Sequence, residues 1–191
     1  MIYLLEHSPN LVGEVENLKR LQQGGIAVVP TLVLAGTEAE FYLHNNLAEQ
    51  IDRLFAGVFG ARLDEAKLEA ACASAERLLR ESYMLPERSD AIRGALPEGR
   101  LLVRYAGEAP FTLEQGSQAA LWALKRLWAS RWQVDGVLER RPELAPPEVP
   151  TLIQVVGGEL VSDNAVLSKA QKVLPGVEQV WAVEGRVVRV N

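Results

Sequence analysis

Between Glu114 and Trp132 the chain reads EQGSQAALWALKRLWASRW, and few folds accommodate such a stretch. Leu121, Leu124, Leu127, Trp128 and Trp132 recur at helical spacing and predict one broad apolar stripe. Lys125, Arg126 and Arg131 fall largely off it. Ser117 is placed to cap the start, its hydroxyl accepting from backbone N–H groups left without helical partners. Three tryptophans bring so much apolar area that neighbouring segments must pack on this helix. It belongs in a core, and the rest of the chain must supply the walls.

A chain of 191 residues is long enough to do so within one domain. The net charge of −5, with no basic block, argues against general nucleic-acid or membrane-surface binding. Cys72 is the one cysteine, so no intramolecular disulfide is possible; its Ala-rich helical surroundings suit a small buried hydrophobe. No apolar run suffices to span a bilayer and no leader pattern opens the sequence, so the expectation is a cytoplasmic protein. His7 and His44 lack a partner at i+3 or i+4, and no metal site is expected.

Helices are expected over 10–23, 37–43, 47–59, 64–83, 87–96 and 163–173, the second with Thr37 and Glu40 as a capping box and the fourth capped by Asp64. Strands are expected over 26–34, with Pro30 forcing an edge or an irregular stretch, over 100–104 and over 151–156. Pro97-Glu98-Gly99 reads as a turn and Pro142 to Pro150 as an extended connector. Val177 to Val190 alternates about Glu184-Gly185 and predicts a terminal hairpin, expected to shield a sheet edge. The fold class is α+β, or α/β with a mixed sheet packed against several helices. Residues 1–163 carry one unit, and 164–191 a helix and hairpin packed on the same domain.

The central helix, GSQAALWALKRLWASRW, resembles a helix of the N-terminal ATP-binding domain of phosphoenolpyruvate synthase and pyruvate phosphate dikinase. The correspondence is tightest over Lys125 to Trp132. A second segment is also similar to that family: Val12 to Leu21, with Gly13, Asn17, Leu18 and Leu21 in register, then Gly25 to Pro30 and a helix carrying Phe41. Leu85-Pro86 to Leu96, Val103-Arg104, Ile153 to Val156 and Ser162 follow in the family's order.

The resemblance implies an ATP-grasp-type domain whose ligands are ATP and Mg. It implies nucleotide contacts at Gly13, Arg104, Arg140 and Gln154. It also marks positions where the family pattern has degenerated. The family's phosphate lysine falls on Glu14, its serines on Tyr105 and Ala106, one arginine on Asp135 and a glycine on Asp163. A phosphate-covering loop between Arg104 and the central helix is missing, and the chain does not continue into the metal-binding half. Phosphoryl transfer depends on cations and a metal that neutralise the transferred group. Replacing a lysine by Glu14 reverses the sign where a polyanion should sit. The expectation is a catalytically inactive homologue serving as a binding or regulatory module, with a protein partner or a second copy of itself. The alternative is an ATP-binding protein, or a phosphotransferase subunit, that completes its site with a partner chain; a third reading is likeness of fold alone. Arg104 is expected to ion-pair with Glu14 or Asp135, and Arg140 to be neutralised in the same way.

Overall fold

The computed structural model describes every residue except Asn10, Ala61 and Pro97. The main sheet comprises β1 (Ile2–Leu4), β2 (Thr31–Leu34), β3 (Arg100–Tyr105), β4 (Thr112–Gln115) and β5 (Thr151–Val155). Their spatial order is β1-β2-β5-β3-β4, and every neighbouring pair is antiparallel. Around it stand α1 (Glu14–Gln23), α2 (Thr37–His44), α3 (Leu47–Leu54), α4 (Glu65–Glu81), α5 (Pro86–Ala95), α6 (Ser117–Ser130), α7 (Val134–Glu139) and α8 (Asn164–Val173). A second antiparallel sheet runs β6 (Val161–Ser162), β7 (Val180–Val183), β8 (Arg186–Val190). The fold is therefore α+β, as the sequence predicts. Among the described residues no helix is long and apolar enough to cross a membrane.

Strand periodicity sorts the main sheet into two faces. Leu32 pairs with Ile153, and Ile153 with Val103; this face packs on the helices. The stripe on α6 fills that layer, with Trp128 fully buried 5.2 Å from the Phe41 ring and Trp132 5.7 Å from Phe55. Val33, Leu152 and Arg104 line up across the same three strands on the other face. There Val33 and Leu152 share a core with Val15, Leu18, Val180 and Val187, drawn from α1 and the second sheet. The layers are helices, sheet, then α1, α8 and the small sheet.

Several local expectations need correction. The terminal hairpin forms, and Glu184 (φ 51°) and Gly185 (φ 74°) turn it in the left-handed region a tight hairpin demands. It does not shield an edge. It pairs with β6 and covers a face, because Val180, Ala182, Val187 and Val190 form an apolar surface that only another apolar surface can bury. Glu114 and Gln115 belong to β4, a strand not expected from the sequence, and Gly116, not Ser117, holds the cap position of α6. Thr37 lies inside α2 and its hydroxyl donates to the Met1 carbonyl, while Glu40 pairs with Arg88 instead of completing a capping box. Asp64 and Asp163 do cap α4 and α8, accepting from Lys67 N and from Ala165 and Val166 N. Helix α1 begins at Glu14, and Asn10 lies outside the described residues. Pro30 leaves 26–30 irregular, held to the second sheet by Val29 N and the Ala27 carbonyl on Val187. Pro97 of the expected turn is likewise outside the described residues.

Candidate functional site

Arg104 lies on the inner face of β3, directly beneath the N-terminus of α1, and is fully buried. Its Nη1 donates to Glu14 Oε2 at 2.5 Å and to the Tyr105 carbonyl at 3.2 Å. Nη2 donates to Glu14 Oε1 at 3.0 Å and to the Val188 carbonyl at 2.8 Å. Nε donates to Gln154 Oε1 at 2.9 Å. All five guanidinium hydrogens thus have an acceptor within the protein. Glu14 is as fully engaged: Oε2 also accepts from Gly107 N at 2.6 Å, and Oε1 from Val190 N at 3.1 Å. Gln154 Nε2 donates to the Val188 carbonyl at 2.8 Å and to Thr31 Oγ1 at 3.2 Å.

This network ties α1, β3, β5 and β8 together, and each charge is desolvated only because its partners are complete. Gly13 contributes the backbone that starts α1, with φ 81°, and so aims Glu14 into the layer. Of the residues expected to bind nucleotide, Gly13, Arg104 and Gln154 are therefore brought together, with Glu14 in their midst. Arg140 is not among them. It sits past α7, 5.2 Å over the Trp132 ring, and donates to the carbonyls of Arg131, Gly136 and Leu144. Carbonyls, not an acid, hold it, and no ion pair involves it among the described residues. Asp135 is exposed in the first turn of α7, and Asp163 serves as a helix cap.

Tyr105 leads to a second constellation, which sequence reasoning missed. Its side chain points to the opposite face from Arg104, and its hydroxyl donates to Glu38 Oε2 at 2.8 Å. The Arg131 guanidinium lies 3.8 Å over the Tyr105 ring. One helical turn beyond Glu38, the Tyr42 hydroxyl accepts from Trp132 Nε1 at 2.5 Å. Burial raises the Glu38 carboxyl to about 7, opposed by the Arg131 charge and the Tyr105 hydrogen bond and reinforced by Glu108 and Glu148. Burial also raises both tyrosine hydroxyls above their usual range, so both stay protonated.

Glu38 and Tyr42 line a groove of about 250 Å³ between α2, α3 and the proline-rich connector. Its walls are mostly apolar, with Ile51, Trp132, Leu144 and Pro146 facing it. A glutamate in the first turn of a helix reads in sequence as a complement to the helix dipole. Nothing in the local pattern tells that the connector, over a hundred residues on, will cover it.

No protein-family model matches this chain, and no curated protein matches it.

Proposed function

We propose that this chain is a non-catalytic homologue of the dikinase-type ATP-binding domain, acting as a binding or regulatory module. The observation that carries the reading is the occupancy of Arg104. The arginine that the resemblance assigns to nucleotide phosphates has spent every donor on Glu14, Gln154 and two backbone carbonyls. A phosphate arriving there would have to displace a carboxylate held by a two-bond ion pair and two further N–H groups. Glu14 supplies the anion from within, at the position where the family carries a cation. Arg140, the other arginine assigned to phosphate, has also spent Nε and both Nη atoms on carbonyl oxygens.

As a module the chain would act on a protein partner or a second copy of itself. Trp122 and Tyr83, exposed together beside Lys125 on the outer side of α6, mark where to look for that contact. Thermal denaturation with and without millimolar Mg-ATP, Mg-ADP or AMP tests the reading. The expectation is an unchanged melting temperature. A dose-dependent rise would favour the nucleotide-binding alternative, with a partner chain completing the site.

A further inference from the structure

We propose that the groove between α2, α3 and the connector binds a small organic cation, an ammonium group carried on an apolar body. This site shares no side chain with the Arg104 network, so its success or failure is independent of nucleotide binding.

The argument rests on what lines the groove. Three of its residues are charged, and all three are carboxylates: Glu38, Asp52 and Glu148. None of them joins an ion pair among the described residues. The two nearby arginines lie behind the wall with their charge already placed. Arg131 stacks on Tyr105, donates to the Pro147 carbonyl and reaches Glu108 at 3.7 Å; Arg140 stacks on Trp132 and donates to carbonyls. An anionic ligand would meet carboxylates with no free donor to offset them. Among the described residues no three His, Cys, Asp or Glu side chains gather as a metal site, so three separated acids suit a diffuse organic charge better than a bare ion.

The remaining lining explains the apolar body. Ile51, Trp132, Leu144 and Pro146 offer hydrophobic contact, and the half-buried Tyr42 adds an aromatic ring of the kind that attracts a cation. Glu38 is the deepest of the three acids, partly buried, while Asp52 and Glu148 are exposed. A ligand cation next to Glu38 replaces the solvation that its carboxylate lost on folding. Tyr105 donates to one oxygen, and the groups facing Glu38 are Tyr105 from β3, Arg131 after α6, Arg140 after α7, Tyr42 on its own helix, Glu108 and Glu148. Because binding needs the ionised form, affinity must rise with pH until Glu38 has lost its proton.

The test is calorimetric titration of the full chain with benzyltrimethylammonium, with benzyl alcohol and benzoate as the neutral and anionic comparisons. The expected result is saturable 1:1 binding of the cation alone at about pH 8, weakening by about tenfold per pH unit below about 7. Glu38→Gln should weaken binding at least about tenfold (about 1.4 kcal/mol) at pH 8 and abolish the pH dependence. Asp52→Asn should weaken binding while keeping that dependence, which separates charge recognition from loss of fold. No saturable binding of the cation, equal binding of benzyl alcohol or benzoate, or affinity independent of pH would each overturn the proposal.

Discussion

Glu14 and Arg104, ninety positions apart in sequence, meet as a two-bond ion pair with side chains 3% and 0% exposed. The pair forms the polar centre of the interface between the main sheet and the layer of α1, α8 and the second sheet. Removing either partner strands a buried charge. Glu14→Ala or Arg104→Ala should therefore cost about 3–5 kcal/mol, whereas the paired change to Glu14→Leu with Arg104→Met should recover most of that loss. Urea unfolding of the three variants checks this; a single variant within about 0.5 kcal/mol of the parent would contradict a buried, fully paired role.

The two aspartate caps and the serine make a contrast. Asp163→Ala removes an acceptor shared by Ala165 and Val166 N–H and should cost about 1 kcal/mol. Ser117→Ala should change stability by less than about 0.5 kcal/mol, because Ser117 is the first helical residue and Gly116 holds the cap. Denaturant midpoints decide between the two.

Much of this was legible before the structure. The stripe from Leu121 to Trp132 locates the core helix because a 3.6-residue period has one physical solution. Asp64 and the Glu184-Gly185 turn are readable because each meets a local backbone need that its own side chain or conformation satisfies. That Arg104 pairs with an acid was legible too, as a choice between Glu14 and Asp135 that only the long-range packing decides. What escaped depends on long-range placement. Strand β4 is four residues with half-exposed, mixed character, and its Glu114 and Gln115 also fit the helical reading of the next stretch. Alternation along 177–190 gives a hairpin but not which surface it covers. Arg140 was expected to find an acid because local sequence cannot count the free carbonyls that a helix end and a turn offer it. Glu38 was invisible because its burial is made by Tyr105, Trp132 and a connector from elsewhere in the chain.

The hairpin is a layer of the core. Deleting residues 177–191 removes the Val188 carbonyl from Arg104 and Val190 N from Glu14. It also uncovers Val33 and Leu152. The truncated chain should aggregate or lose cooperative unfolding. A soluble monomer that still unfolds in one cooperative step, by size-exclusion and calorimetry, would contradict this packing role.

Glu38 makes stability fall with rising pH. Its carboxyl lies near 7 when folded and at 4.5 when free, so between those values the unfolded chain has lost a proton that the folded chain keeps. Stability is therefore lost from about pH 4.5 up to about 7 and is constant above, roughly 3 kcal/mol in all. Glu38→Gln retains an acceptor for Tyr105 and should raise the melting temperature at pH 8 with little effect at pH 4.5. Equal effects at both values would rule out a raised Glu38.

The central claim, a phosphate position filled from within, is tested most directly by calorimetric titration of the purified chain with Mg-ATP at low ionic strength. The account predicts no saturable heat at millimolar nucleotide. Binding tighter than about 100 μM, roughly −5.5 kcal/mol, and lost in Arg104→Ala, would contradict it by showing that the arginine still serves a ligand.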